Sequence, residues 1–447
     1  MFWAGCMMLM FAANDVPVPG NAMPVSMQDA WTVQVGPGEM STPDKTIKLD
    51  EPVFITISPV ETISISDEAH NVVLPYDQNA GGWRRGNRLN TLITQECTAT
   101  GALVQNSVRI KSSEGPGTGF TYGVDYLLDR EWGTFGRMEG GRIGPGQAVF
   151  VDYKYRPNRL DSIVINAQGA VRVLQGRPGL GVVLPPATND EVIVVCNVWQ
   201  SGVIDRLTQE NLFPLGYGND SYPPRAMPFA ETLLPRTLAK LRNGEPVTIV
   251  AWGDSVTHGG GVQNDPDKWY QHVFLRLLQE RFPNSNITLH SAAWPGANSV
   301  QYMNAPRNGE YDFQRDVIAR RPDLVTVNFV NDGGMHPSQT KQHYNWMLQV
   351  LREAGAEIIF ITPHLVRPDW MPIPTLRPLS DPRPYVHALR ELAAENDVAY
   401  ADAAEEWVTL WRRGIPHVSL LANSINHPDE RGHEIFARSL MRLFPAR

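Results

Sequence analysis

A serine that directly follows a buried strand is the first residue of this chain that could do chemistry. Residues 247–250 form a short run rich in β-branched side chains, which stops at Gly253, and the turn after it presents Asp254 and Ser255. Such runs are typical of a central strand in a parallel sheet. Because ligands bind at the carboxyl ends of these strands, Ser255 is placed to act as a nucleophile. A Gly-Asp-Ser sequence is also ordinary turn chemistry, so other residues must decide between the two interpretations.

His427 is the candidate base for that serine. A serine hydroxyl is a poor nucleophile until a neighbouring base takes its proton during the attack. His427 lies in a loop closed by Pro428 and immediately before a predicted helix, which would hold its imidazole near the edge of the sheet. The alternative is a histidine that caps the protein surface. A Ser255–His427 pair predicts nucleophilic catalysis that uses neither a metal nor a cofactor.

The elements that must position these residues alternate between strand and helix. The apolar pattern predicts a strand beginning at residue 247 and further strands at 287–291, 324–330, 357–362 and 398–402. It predicts helices at 231–241, 268–282, 313–320, 339–353, 385–395 and 430–443. This alternation implies an α/β domain in which helices cover both faces of a parallel sheet, with right-handed crossovers.

The N-terminal half has a different pattern, with period two and frequent turn residues from about 31 to 199. Strands are predicted at 54–57, 62–65, 148–155, 162–166, 170–174 and 191–198. We therefore predict an antiparallel β-sandwich or jelly roll. Its aromatic residues Trp83, Trp132, Tyr153 and Tyr155 could stack on sugars, and the alternative is that they fill the core.

The length of 447 residues predicts two domains. Residues 1–25 are interpreted as an imperfect signal or a disordered segment, and 26–215 as the β-sandwich accessory domain. A linker rich in glycine and proline is predicted at 216–230, followed by the α/β domain at 231–447. The apolar start lacks a basic n-region but has the length of a signal-peptide core, which predicts a secreted, periplasmic or cell-surface location.

Composition excludes several classes of protein. The net charge of −8 and the pI near 5.8 argue against a partner made of nucleic acid, since no basic surplus neutralises phosphates. Cys6, Cys97 and Cys196 lack zinc-site spacing, so no metal is predicted. Cys97 and Cys196 are expected to be buried thiols, although a disulfide between them is an alternative. No later run approaches the roughly 20 apolar residues that a membrane span requires.

Four short blocks of the C-terminal half resemble, in the same order, the blocks of the GDSL/SGNH hydrolase family. They are Gly253-Asp254-Ser255, Gly296 in AAWPGANS, Asn331-Asp332 in NFVND and His427 in NHPDERGH. The resemblance extends from about residue 231 to about 444 and covers nothing before it.

The resemblance implies a three-layer αβα, flavodoxin-like fold in which Ser255 is the nucleophile and His427 the base. It also implies an oxyanion hole, formed by the backbone N–H groups of Ser255 and Gly296 and by the side-chain amide of Asn331. Donors placed in advance to meet the developing charge supply several kcal/mol of stabilisation. Asp254 and Asp332 would support this site by holding its loops together.

Two residues depart from the family pattern. Phe329 stands where the family usually has a glycine, which predicts a smaller or reshaped acyl pocket. Ser424 stands where an aspartate usually precedes the histidine by three residues. The imidazole would then be oriented by Asn423, Ser424, Asn426, a backbone carbonyl or an acid from elsewhere in the fold. A Ser255–His427 dyad with slow turnover, or an atypical triad, is therefore predicted.

The function predicted from these residues is that of a metal-independent serine esterase acting on O-acyl groups, with O-acetyl groups on a carbohydrate as the expected substrate. The acylated partner is a small molecule or a polysaccharide, and the loop at 364–384, with Trp370 and Met371, could border its site. The same machinery would serve a lipase, a thioesterase or an aryl esterase. The alternative class, motivated by Phe329 and Ser424, is a carbohydrate-binding surface protein with a decayed hydrolase domain. The oligomeric state is not predicted.

Overall fold

The N-terminal region is built from short strands whose ladders are antiparallel, which confirms the predicted β class. The computed structural model describes residues 19–44, 46–217, 229–371, 373 and 375–445. The strands of this region are β1 (Val25–Met27), β2 (Thr32–Val35), β3 (Gly38–Ser41), β4 (Thr46–Leu49), β5 (Val53–Thr56), β6 (Ile63–His70), β7 (Asn87–Arg88), β8 (Ile93–Thr94), β9 (Cys97–Thr98), β10 (Arg109–Lys111), β11 (Tyr126–Asp129), β12 (Thr134–Arg137), β13 (Val149–Tyr155), β14 (Arg159–Asn166), β15 (Val171–Leu174), β16 (Val192–Gln200) and β17 (Leu212–Pro214).

These strands enclose two separate hydrophobic cores. The sheets β1-β2-β5 and β15-β14-β16-β17 supply the first core, in which Val33 and Ile163 are fully buried. The sheets β10-β13-β6 and β11-β12-β7 supply the second core, which contains Phe135 and Val151. Burial alternates along β13, as expected for a sheet with one wet face. The strands of the second core, β6 to β13, therefore lie in sequence between the two groups of strands that form the first core, β1 to β5 and β14 to β17.

The C-terminal region contains a parallel sheet between two layers of helices, which confirms the predicted αβα class. Its strands are β18 (Pro246–Gly253), β19 (Asn286–Ala293), β20 (Leu324–Asn328), β21 (Glu357–Ile361) and β22 (Ala399–Ala401), in the order β19-β18-β20-β21-β22. Its helices are α1 (Ala230–Leu233), α2 (Pro235–Asn243), α3 (Tyr270–Arg281), α4 (Ser299–Met303), α5 (Phe313–Asp316), α6 (Pro337–Glu353), α7 (Pro384–Glu395), α8 (Ala403–Thr409) and α9 (Glu430–Met441). Within the described residues, no helix is long and apolar enough to cross a membrane.

Strand β18 is the centre of the C-terminal fold because it packs on both faces. Ile249 lies in the core shared with α2, α3 and α9, whereas Val250 and Trp252 lie in the core shared with α6 and α7. This follows from the period of two along a strand. The next strand in the chain, β19, pairs on one side of β18, and β20 pairs on the other. A crevice is expected at the carboxyl end of β18, where the strand order reverses.

Two predicted helices are divided in the structure. Pro235 starts a new helix, so the segment predicted as one helix forms α1 and α2. Helix α5 ends at Asp316, and a 3-10 turn covers Ile318–Arg320. Most of the predicted linker (218–228) and the apolar start (1–18) lie outside the described residues.

Cys97 and Cys196 are separate buried thiols rather than a disulfide. Cys196 lies in the first core, and Cys97 packs in a small cluster with Trp132 and Ile425. Burial raises the pKa of both thiols to about 12. Both therefore stay protonated and unreactive at neutral pH.

The two regions pack directly against each other. Trp199 and Phe213 of the N-terminal region share a buried cluster with Trp411 of the C-terminal region. Beside this cluster, the side-chain amide of Asn197 donates to the carbonyl oxygen of Gly414 at 2.8 Å. This contact holds the N-terminal strands against the α/β unit, so loops of both regions can meet at the crevice.

Candidate active site

Ser255 and His427 meet at the carboxyl end of β18. The Nε2 atom of His427 lies 3.0 Å from the Oγ atom of Ser255. Both side chains are largely shielded from solvent, with residue exposures of 8% for Ser255 and 7% for His427. The distance is that of a hydrogen bond, so the imidazole is placed to take the hydroxyl proton.

A glycine loop after Ser255 packs beneath the imidazole ring. The backbone N–H of Gly260 donates to the carbonyl oxygen of Ser255 at 2.7 Å. A β-carbon at Gly260 would lie 2.9 Å from Cδ2 of His427, and one at Gly261 would lie 1.8 Å from the carbonyl oxygen of Pro428. Glycine at these positions allows the histidine loop to approach the serine loop closely.

Replacing Gly261 with alanine is expected to lower the free energy of unfolding by about 3 kcal/mol or more. The φ angle of 97° disfavours a side chain, and the added methyl group would overlap Pro428. Gly140→Ala is the control, because its φ is 78° and nothing lies within 4 Å of the position that a methyl group would take there. That variant should lose only about 1–2 kcal/mol. Equal losses in thermal or urea unfolding would show that the Pro428 contact is unimportant.

The other ring nitrogen of His427 faces the N-terminal region. Its Nδ1 atom lies 3.2 Å from Oε1 of Gln95 and 3.1 Å from Oε1 of Glu96. Burial raises the pKa of Glu96, but hydrogen bonds from His427 and Asn423 and the charge of His427 lower it to about 2. Glu96 is therefore ionised at neutral pH. Acceptors at Nδ1 keep a proton on that nitrogen and leave Nε2 free to accept one from Ser255.

The three loop residues predicted to orient the imidazole hold the loop instead. The Oδ1 atom of Asn423 accepts hydrogen bonds from the backbone N–H groups of Ile425, Asn426 and His427 at 2.9–3.0 Å. The side chain of Asn426 accepts from Asn423, and the backbone N–H of Ser424 donates to the loop itself. Within the described residues, none of the three side chains is hydrogen-bonded to the His427 ring. The Asn423 side-chain oxygen stabilises the turn before His427, and the Nδ1 atom of the His427 ring faces the N-terminal region.

The predicted oxyanion donors lie on three loops at the same edge of the sheet. In the described part of the chain, the backbone N–H groups of Ser255 and Gly296 donate to no protein acceptor. Gly296 has φ of 82°, and nothing lies within 4 Å of the position that its β-carbon would take. The amide nitrogen of Asn331 donates to the carbonyl oxygen of Ala297 at 3.0 Å, which ties two of the loops together. An amide nitrogen carries two hydrogens, so this contact uses only one of them.

Two buried aspartates connect the loops that carry these donors. Asp254 accepts a hydrogen bond from the backbone N–H of Asn331 at 3.1 Å. Asp332 accepts from the hydroxyl of Ser299 at 2.6 Å and from that of Tyr344 at 2.7 Å. Burial raises the pKa of Asp254 to about 7 and also raises the pKa of Asp332. Among the described residues, neither carboxylate is hydrogen-bonded to the side chain of Ser255 or of His427, so their contacts are those of loop supports.

Phe329 packs in the core rather than in the crevice. Its side chain is buried against Trp252, with ring centroids 5.1 Å apart, and against Tyr302. The prediction that this residue reshapes the acyl pocket therefore needs a correction. The backbone directs the Phe329 ring to the face of the sheet covered by α6 and α7. Phenylalanine in place of the family's glycine therefore fills the hydrophobic core on that face.

The other buried histidines of this region bind backbone groups. His433 accepts from the N–H of Tyr270 at 3.2 Å, and its Nε2 atom lies 2.9 Å from the carbonyl oxygen of Gly260. Burial lowers the pKa of His433 and of His417 to about 4, so both are neutral. His433 thus supports the glycine loop. In the part of the chain that the structure describes, no group of three His, Cys, Asp or Glu residues is arranged to hold a metal ion.

Most of the aromatic residues considered for sugar stacking fill cores. Tyr153 and Tyr155 are buried in the second core, and Trp132 is 8% exposed. Trp83 is half-buried and contacts Trp132 and Trp370, with centroid distances of 5.0 and 5.9 Å. We call Trp83, Trp132 and Trp370 the aromatic cluster. It adjoins Ile425, two residues before His427, so it borders the histidine loop.

A serine and a histidine in hydrogen-bond contact at the switch point of a parallel αβα sheet form the arrangement in which a histidine can activate a serine nucleophile. Residues 251–435 match the model of the GDSL-like Lipase/Acylhydrolase family, and this segment contains Ser255, Gly296, Asn331 and His427. The C-terminal half is therefore a GDSL-like domain, which confirms the family resemblance and the predicted class of serine ester hydrolase.

Solved structures with a similar fold include two carbohydrate esterases. A two-domain esterase active on acetylated mannans is 15% identical, with 47% of this chain and 52% of that chain covered and a TM-score of 0.38. An acetylxylan esterase from Geobacillus stearothermophilus is 19% identical, with 45% and 95% covered and a TM-score of 0.36. The chain thus spans about half the length of the mannan esterase. No curated protein matches it.

Proposed function

We propose that this protein is a serine esterase that removes small O-acyl groups, chiefly O-acetyl groups, from a carbohydrate. The observation that carries the proposal is the 3.0 Å contact between Oγ of Ser255 and Nε2 of His427. In this proposal Ser255 is the nucleophile and His427 the general base. The reaction class rests on these two residues, and the carbohydrate rests on the aromatic cluster beside them.

The reaction proceeds in two stages. Oγ of Ser255 attacks the ester carbonyl carbon while Nε2 of His427 takes the hydroxyl proton. The N–H groups of Ser255 and Gly296 and the amide of Asn331 donate to the carbonyl oxygen as it becomes negative. His427 then returns the proton to the departing alcohol, which leaves an acyl-serine. Water, deprotonated by His427, attacks this ester and releases the carboxylic acid and free Ser255.

The aromatic cluster supports a carbohydrate as the alcohol part of the substrate. A flat indole ring covers the apolar face of a pyranose, and its N–H remains free for a hydroxyl. Trp370 is 46% exposed and Trp83 is half-buried, so both offer ring surface to a ligand. They come from opposite regions of the chain and lie together beside the histidine loop. A secreted, periplasmic or cell-surface location would expose the enzyme to such a substrate and is part of the proposal.

The proposal is tested by comparing acyl donors. We expect hydrolysis of p-nitrophenyl acetate to exceed that of the butyrate and octanoate esters, and we expect acetate release from acetylated xylo- or manno-oligosaccharides. Preference for the octanoate ester would favour a lipase, and preference for an acyl thioester would favour a thioesterase. Hydrolysis of aryl acetates without acetate release from sugars would favour an aryl esterase. No hydrolysis of any ester would support a binding protein with a decayed site.

Replacing Trp370 with alanine is expected to reduce kcat/KM for acetylated oligosaccharides by about 10-fold, because a stacking surface is lost. Activity on p-nitrophenyl acetate should stay within about twofold, since an activated aryl ester depends on Ser255, His427 and the oxyanion donors rather than on a sugar-stacking surface. Trp346→Ala is the matched control, because Trp346 is exposed to a similar degree, 43%, but lies on α6. Equal losses on both substrates would contradict a role in sugar binding.

A further inference from the structure

We propose that Glu96, contributed by the N-terminal region, is the acid that positions His427 and stabilises its protonated form. Ser255, His427 and Glu96 then make up a triad that is shared between the two regions. This inference rests on the catalytic roles proposed for Ser255 and His427. Glu96 acts through the imidazole and is therefore a positioning residue.

A tight hairpin delivers Glu96 to the ring. Ile93 pairs with Thr98 and Thr94 pairs with Cys97, so Gln95 and Glu96 alone form the turn between β8 and β9. Gln95 adopts φ of 58°, in the left-handed region that such turns usually fill with Gly, Asn or Asp. A glutamine is held there against this preference, and its side chain reaches Nδ1 of His427. Backbone conformations of this kind are concentrated at functional sites.

The hairpin is locked to the histidine loop from two sides. Cys97, which follows Glu96, is 1% exposed in the cluster with Trp132 and Ile425. The amide nitrogen of Asn423 donates to Oε1 of Glu96 at 2.8 Å, and the oxygen of the same amide accepts from the backbone N–H of His427 at 2.9 Å. One side chain therefore sets the separation of carboxylate and imidazole.

Gln95 and Glu96 have different effects on the imidazole at its Nδ1 atom. The neutral amide oxygen of Gln95 can hold the tautomer that has its proton on Nδ1. Only the carboxylate of Glu96, at 3.1 Å, adds a negative charge that favours the imidazolium formed during the reaction. With the tautomer held by Gln95, loss of the Glu96 charge should slow catalysis without abolishing it.

Other titratable groups also lie around the ring. Asp254, on the serine loop, interacts electrostatically with His427, as do His364 and His433. Burial lowers the pKa of both neighbouring histidines, which keeps them neutral near pH 7. Asp254 contributes equally in the wild type and in Glu96 variants, so a comparison between these proteins isolates the effect of Glu96.

The experiment compares Glu96→Gln, Glu96→Asp and a matched control in the full chain, with p-nitrophenyl acetate as substrate. Glu96→Gln keeps an acceptor for Asn423 but removes the charge, so we expect kcat/KM to fall about 10- to 100-fold. The loss should appear in kcat rather than in KM, because the carboxylate stabilises the imidazolium that forms only during the reaction. Glu96→Asp keeps the charge and should recover part of kcat.

Glu131→Gln is the control, because Glu131 also pairs across the regions, at 3.4 Å from Arg367, and within the described residues it has no hydrogen bond or ion pair with the His427 ring. It should keep the wild-type kcat and KM within about twofold. The inference is overturned if Glu96→Gln retains the wild-type kcat, or if it loses activity through KM with no recovery of kcat in Glu96→Asp. Ser255→Ala separates the two proposals: if that variant stays active, the proposed mechanism itself has failed.

Discussion

Replacing Ser255 with alanine is expected to lower kcat for p-nitrophenyl acetate by on the order of 10⁴-fold. The alanine cannot form the acyl-enzyme, so only the oxyanion donors and substrate binding remain to assist water. His427→Ala should cost a comparable amount, because a serine without its base is a weak nucleophile. The double variant should be little worse than either single one, since the two residues act as a unit at 3.0 Å. Steady-state kinetics measure all three.

Ser285→Ala is the control for this comparison. Ser285 directly precedes β19 and so lies at the amino end of the parallel strands, whereas Ser255 lies at their carboxyl end. Loss of the Ser285 hydroxyl should therefore leave kcat unchanged. A fluorophosphonate should label the wild type and Ser285→Ala but not Ser255→Ala. Activity above about a tenth of wild type in Ser255→Ala, with labelling at another residue, would assign the nucleophile elsewhere.

Replacing Asn331 with alanine is expected to lower kcat by about 10²- to 10³-fold, because one donor to the developing oxyanion is lost. The Michaelis constant should change little, since this donor is used mainly in the transition state. The loss of the contact to Ala297 should also reduce stability by about 1 kcal/mol, so the melting temperature is measured beside the kinetics.

The control for Asn331 is Asn304→Ala. Asn304 likewise donates its amide to a backbone carbonyl, that of Val300 at 2.8 Å, but it is exposed at the end of α4. It should lose stability without losing kcat. A rise in KM with unchanged kcat in Asn331→Ala would mean that Asn331 binds the ground state and is not an oxyanion donor.

The central strand and the two reacting side chains could be predicted because their signals are local. The β-branched run of β18 ends in a turn at Ser255, and the helical pattern of α9 begins just after His427. Their contact then follows from sheet topology, because the carboxyl ends of parallel strands share one edge. The short helices α4 and α8 carry too few turns to show a clear period, so the apolar pattern does not predict them.

The partner of the imidazole could not be predicted for a different reason. Gln95 precedes His427 by 332 residues, and the strands that carry its hairpin are two residues long. A Gln-Glu pair in a turn is indistinguishable in sequence from a solvated loop tip. The only signal is negative: Ser424 leaves the ring without its expected acid, which points to an acid from elsewhere in the fold without locating it.

The buried cluster formed by Trp199, Phe213 and Trp411 determines how the two halves of the molecule can move. Pulling them apart would wet large aromatic faces, at a cost of several kcal/mol. A hinge that opens and closes over the substrate is therefore disfavoured. The crevice beside Ser255 and His427 is therefore already assembled before a ligand binds.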